Sequence, residues 1–208
     1  MRVKDADGIA DTNSRTLVYR TQSAKQILGD YNGCTSVTGK TPSSVEIIYE
    51  FPEEAEQISV FRDGEQIYST KNHAKTTYTD WGLSTGNEYE YNCKLTVNGE
   101  EVEGAESIFS EPQTPLEAIG RPFDGCISGT ALSTSSIQIE YDFRDISSSV
   151  HVYRNGIEAF ATIDQDSTTF IDTGLEEGVT YEYTCGARVE EHLVMGSLKL
   201  PITTLMAN

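Results

Sequence analysis

Positive charge is scarce in this sequence, and long apolar runs are missing from it. Fifteen Lys and Arg face 33 Asp and Glu over 208 residues, a formal net charge of -18 and a pI near 4.4. Affinity for nucleic acid or an anionic bilayer is led by cations that neutralise phosphate, so neither is an expected partner. No stretch approaches the roughly 18 apolar residues that a spanning helix needs, so no membrane insertion is expected. The opening MRVKDADGIADTNS has no apolar core of the kind a signal peptide carries.

Chemistry-bearing patterns are equally thin. There is no glycine-rich phosphate cradle, no serine–glycine nucleophile turn, and no Arg-Gly-Asp. His73, His151 and His192 have no nucleophile beside them, and Glu53–Glu54 and Glu100–Glu101 read as solvated surface. DADGIAD alternates Asp5, Asp7 and Asp11 around a glycine, but the twelfth position of a calcium loop is Thr16, not Glu. No cofactor, metal or catalytic residue is therefore expected, and the chain by itself is read as no enzyme.

What is present is a repeat. TTYTDWGLSTGNEYEYNC, from Thr76 to Cys93, returns as TTFIDTGLEEGVTYEYTC, from Thr168 to Cys185. A shift of 92 aligns Gly33–Cys93 with Gly125–Cys185 without a gap, and 23 of these 61 positions are identical. That is too many for two unrelated segments, so a module has been duplicated, and the match extends to Ile27 with Ile119 and Tyr31 with Phe123. Within each copy the apolar period is two: VEIIYEF and IQIEYDF place alternate side chains on one face of a strand. Asp63–Gly64 and Asn155–Gly156 sit between strand-like runs and suit tight hairpins. Short strands separated by such turns predict all-β sandwiches, and no segment carries a helical stripe.

The run Asp-x-Gly-Leu-x-x-Gly-x-x-Tyr-x-Tyr, at Asp80–Tyr91 and Asp172–Tyr183, resembles the crossing between strands E and F of fibronectin type III domains. That resemblance implies two tandem seven-stranded antiparallel β-sandwiches, at residues 23–114 and 115–208. It implies a tyrosine corner at Tyr89 and Tyr181, each six residues after a leucine; an immunoglobulin register would put the corner at Tyr91 and Tyr183 instead. The family's usual strand-B tryptophan is replaced by Tyr49 and Tyr141, and its domains commonly lack disulfides, whereas each module here has two cysteines. This points to a divergent, disulfide-bearing branch.

Cys34 and Cys93 are as far apart as Cys126 and Cys185, and duplication selects a pairing within each module from the three that four cysteines permit. Cys93 shares a strand face with Tyr89 and Tyr91, and Cys34 is expected to reach it across the core. Free thiols as core filler remain an open reading. Zinc is disfavoured by the lack of Cys-x-x-Cys and of a histidine at ligand spacing. Disulfides imply an extracellular, cell-surface or periplasmic location. The absence of Asn-x-Ser/Thr sequons leans toward a bacterial source.

Residues 1–22 resemble the F–G hairpin of a preceding repeat, which makes the chain a piece of a longer array or gives it an orphan hairpin. The open edges of such a hairpin need a partner, so a strand-exchanged homodimer is one expectation. The F–G segments VNGEEVEG and RVEEHLVMG are expected as loops. In the second, Leu193, Val194 and Met195 are the candidate binding residues, with the start of the last strand as the competing reading. Trp81 is expected to pack at the E–F turn rather than to stack on a sugar. The linker SEPQTPLEAIGRP predicts a semi-rigid string of modules. The functional reading is a non-catalytic adhesion or spacer module that meets a protein or glycan at a surface. The alternatives are an accessory region of a larger secreted enzyme, such as a polysaccharide hydrolase, and a receptor ectodomain of the cytokine-receptor type. The last lacks its Trp-Ser-x-Trp-Ser motif.

Overall fold

A computed structural model describes residues 22–207. The first module contains α1 (Ala24–Leu28), β1 (Cys34–Thr41), β2 (Ser44–Tyr49), β3 (Gln57–Arg62), β4 (Glu65–Thr70), β5 (Thr77–Trp81), β6 (Tyr89–Val97), β7 (Glu100–Glu103) and β8 (Ile108–Ser110). The second contains α2 (Pro115–Ile119), β9 (Cys126–Ser133), β10 (Ser136–Tyr141), β11 (Ser149–Arg154), β12 (Ile157–Thr162), β13 (Thr169–Thr173), β14 (Thr180–Val189), β15 (His192–Met195) and β16 (Leu200–Thr203). The hairpin expected before Ser23 falls, apart from Gln22, outside the described residues.

Each module is a two-sheet antiparallel sandwich. One sheet has the order β1-β2-β5, and the other runs β4-β3-β6-β7 with β8 also on β6; β9–β16 repeat both orders. There are seven strand positions per module, the last of them in two pieces. The two-residue period becomes the core directly. Val45, Ile47 and Tyr49 on β2 face Ile58 and Val60 on β3 and Tyr91, Cys93, Leu95 and Val97 on β6, and all of these are essentially buried. The second core repeats them with Ile137, Ile139, Tyr141, Val150, Val152, Tyr183, Cys185, Ala187 and Val189.

The β3–β4 and β11–β12 turns hold Asp63 and Asn155 at φ near +50° and the following glycines near +80°, the backbone a two-residue hairpin demands. The side chains contribute further: Asp63 Oδ1 accepts from Glu90 N–H and Asn155 Oδ1 from Glu182 N–H, tying each turn to β6 or β14, the strand on the other side of β3 or β11 in the sheet.

Three expectations need correction. The linkers are not strand and coil alone, because each carries a five-residue helix. Ser23 caps α1 and Thr114 caps α2, each accepting from the third helical residue, Gln26 or Glu117, whose side chain bonds back. These helices match at a shift of 91 rather than 92, so Leu28, not Ile27, stands where Ile119 does, and one extra residue lies between Gly120 and Phe123. The F–G segments are not loops either. β6 and β7 continue to Val97 and Glu100, which leaves only Asn98 and Gly99 at the tip, and β14 and β15 leave Glu190 and Glu191.

Candidate functional site

Both cysteine pairs form disulfides within their own modules, Cys34–Cys93 and Cys126–Cys185, with Cα atoms 5.1 and 4.9 Å apart. Sheets packed face to face stand about 10 Å apart, so these bonds do not cross the full thickness of the core. They lie at one end, where β1 and β9 begin against the break in the last strand. The close approach depends on glycine: a Cβ on Gly104 would strike the backbone of Gly33, and one on Gly196 the backbone of Asp124 and Gly125. Gly33 and Gly125 also have positive φ.

At the E–F crossing, Ser84 N–H donates to the Tyr89 hydroxyl at 3.1 Å and Glu176 N–H to the Tyr181 hydroxyl at 3.0 Å. Tyr91 and Tyr183 are fully buried and reach a different partner: their hydroxyls donate to Asp80 Oδ2 and Asp172 Oδ2 at 2.9 and 2.7 Å. Arg62 and Arg154 donate to both oxygens of the same carboxylates at 2.8–3.0 Å. The guanidinium groups also sit 5.7 Å from the ring centres of Tyr89 and Tyr181. An Arg–Asp–Tyr network is thus built into each sandwich. Burial first, then the hydrogen bond and charge of the aspartate, pushes the Tyr91 and Tyr183 hydroxyls well above the ordinary tyrosine value. The network has a signal in the sequence, because Arg62 and Arg154, Asp80 and Asp172, and Tyr91 and Tyr183 are each identical at the 92-residue shift, but nothing local marks the three as partners.

The remaining candidates are dispersed. Leu193, Val194 and Met195 lie on β15, not in a loop. Val194 packs on the core, while Leu193 and Met195 face out. Trp81 is 63% exposed at the end of the edge strand β5, so it does not pack at the turn as expected. His73 stacks on Phe51 with ring centres 4.0 Å apart. His151 bridges Ser149 and Glu158. The aspartates of DADGIAD lie outside the described residues. Among the described residues no three His, Cys, Asp or Glu side chains converge on a metal-sized space, and no helix is long and apolar enough to cross a membrane.

Two crevices stand out. One of about 680 Å³ lies beside α1 and is lined by Lys25, Tyr31, Glu100 and Glu103 among others. The other lies between the modules, where Pro42, Ser43 and Leu83–Thr85 meet Glu190–His192. There Ser43 Oγ donates to Glu190 Oε1 at 2.9 Å. The linker is held at the same place: Gln113 N–H donates to the Thr41 carbonyl and the Thr85 hydroxyl to the Gln113 carbonyl.

The fold is therefore a tandem pair of fibronectin type III-like sandwiches. No protein-family model and no curated protein matches the chain. Among solved structures it is similar to the central fibronectin-III array of RIM-binding protein, at 16% identity and a TM-score of 0.34, covering 86% of this chain and 71% of that one. It is similar to the chicken CNTN1 FN1-FN3 domains, at 12% identity and a TM-score of 0.36, covering 85% and 66%. It is also similar to the Yersinia enterocolitica family 28 exopolygalacturonase, at 15% identity and a TM-score of 0.34, covering 39% of this chain and 20% of that one. Likenesses this distant add nothing on activity or partners.

Proposed function

We propose that this chain is a non-catalytic adhesion or spacer segment of a secreted or cell-surface protein, of bacterial origin, that meets a protein or glycan at a surface. One observation carries the reading: each sandwich is closed by a buried disulfide, and the segment between the sandwiches is fastened rather than loose. Disulfides persist where the surroundings oxidise. A linker bonded to the turns of the module behind it transmits orientation from one sandwich to the next, as a spacer requires. The exposed Trp81 and the outward Leu193 and Met195 are the side chains this reading offers to a partner.

The test is fractionation of the source cells with an antibody against the two modules, run unreduced and reduced. The native polypeptide is expected in the secreted or surface fraction with its thiols blocked as disulfides. Recovery of the protein from the cytoplasm with four free thiols would overturn the reading. A catalytic domain in the same polypeptide would make the segment an accessory to that enzyme.

A further inference from the structure

Asn32, Asn98 and Asn155 each stand immediately before a glycine. Such a pair can modify itself, because glycine has no side chain to keep its backbone nitrogen from the asparagine Cγ. The glycine nitrogen attacks Cγ, a C–N bond forms, and ammonia leaves with the proton the nitrogen gives up. Water then opens the succinimide ring at either carbonyl. The product is aspartyl or, with one extra methylene in the backbone, isoaspartyl. One water is consumed, one ammonia is released and one carboxylate is gained.

The fold treats the three sites differently. Asn32 is exposed, but Gly33 is buried beside the Cys34–Cys93 disulfide, and a Cβ on Gly104 would stand 2.7 Å from the Gly33 nitrogen. A ring cannot close there without parting two backbones. Asn155 and Gly156 are exposed at the β11–β12 turn with open space over the glycine, yet Glu182 N–H holds the Asn155 amide oxygen at 2.9 Å. Asn98 and Gly99 form the exposed β6–β7 tip, again with open space over the glycine. Among the described residues no hydrogen bond holds the Asn98 amide.

Duplication indicates what the product would meet. At the 92-residue shift Asn32, Asn98 and Asn155 fall on Asp124, Glu190 and Asp63, an acid in the sister module each time. Glu190 has the φ of Asn98, 52°. Asp63, at 51°, accepts from Glu90 N–H as Asn155, at 50°, accepts from Glu182 N–H. We infer that Asn98 is a self-modification site, at which the folded module exchanges ammonia for water ahead of Asn155 while Asn32 stays shielded. The aspartyl product leaves the sandwich intact, because the sister turn already carries a carboxylate on the same backbone. Each conversion adds one negative charge to a chain already at -18.

The experiment ages the full, disulfide-bonded chain in warm, mildly alkaline buffer beside a reduced sample in guanidinium, and follows all three sites by peptide mass and fragmentation. The unfolded sample supplies the intrinsic rate of each Asn-Gly pair. Divided by that rate, Asn98 in the folded chain is expected to exceed Asn155 by roughly 2–10-fold, the worth of one net hydrogen bond. Asn32 should lag Asn98 by at least about a hundredfold, since its ring closes only after local unfolding. Asn98→Gln should remove the leading acidic variant on isoelectric focusing. Asn98→Asp should unfold at the same urea midpoint as the original chain. An Asn98 that stays intact in the folded chain while the unfolded chain loses it overturns the proposal, as does Asn155 or Asn32 reacting first. Persistence of the leading acidic variant in Asn98→Gln also overturns it, and a lowered midpoint in Asn98→Asp sinks the claim that the product fits. The reaction needs no partner and no particular compartment, so its failure is separable from failure of the spacer reading.

Discussion

At the scale of single residues, Asp80 and Asp172 carry the sharpest consequences. Asp80 is 3% exposed and satisfies both Arg62 and the buried Tyr91 hydroxyl. Removing one partner of a buried pair leaves the other unpaired in a poor solvent for charge. Asp80→Ala is therefore expected to cost about 3–5 kcal/mol in urea denaturation with disulfides intact. Asp172→Ala should cost less, because the Arg154 side chain is 37% exposed against 29% for Arg62 and can turn to water. Equal losses at the two sites would show that the arginines contribute little.

The tyrosines of this network predict an alkaline limit. Their folded pKa values lie above the ordinary 10.0, chiefly through burial. The stability they contribute is thus fully present below the unfolded value of about 10 and is lost as pH rises through the folded value. Ultraviolet titration should show Tyr91 and Tyr183 ionising only as the near-ultraviolet circular dichroism collapses. Ionisation of all eleven tyrosines near pH 10 in a chain that stays folded would contradict this.

At the scale of elements, strands were legible and short helices were not, and the reason is physical. VEIIYEF buries alternate side chains against a partner sheet, so the requirement is written into every second residue. A five-residue helix buries little: Ala24 in α1 and Ile119 in α2. It has no stripe to read, only the local signature Ser23-x-x-Gln26 or Thr114-x-x-Glu117. The junction was hidden for a different reason, since Ser43 and Glu190 stand 147 residues apart and nothing local marks them as partners. Trp81 misled because an apolar residue type argues for burial, whereas its position on β5 faces it outward.

The caps are testable. Glu117 accepts from the Thr114 backbone N–H and hydroxyl, and these bonds hold its carboxyl below the ordinary 4.5. A lowered folded pKa contributes stability that is present above the unfolded value and lost as pH falls through the folded one. The protection of amides within α2, measured against the intrinsic exchange rate at each pH, should therefore fall below about pH 4. Thr114→Ala should lower it at neutral pH, at a cost of about 1 kcal/mol. Exchange that ignores both changes would mean tertiary contacts alone hold α2.

At the scale of the whole molecule, the disulfides decide what tension can do. A pull on the two ends of a module reaches Cys34 from one side and Cys93 from the other, and the covalent bond short-circuits everything between them. The sequence separation is 59 in both modules. At about 3.5 Å per extended residue, each intact bond locks away roughly 200 Å of chain. Only the linker helix, the residues before β1, the ends of β6 and β14 beyond their cysteines, and the broken last strand can then lengthen. Reduction should also remove roughly 4 kcal/mol of stability per module on the chain-entropy account, a large share of the 5–15 kcal/mol typical of a domain. Single-molecule pulling of the unreduced chain should give short steps, and reductant should lengthen two of them by the same roughly 200 Å, because the two loops are equal. Full-length steps without reductant would show that the bonds are not formed in the working protein. The predicted behaviour is that of a tether that keeps its length under load: each module can yield at its rim while the closed loop, with its Arg–Asp–Tyr network inside, stays folded.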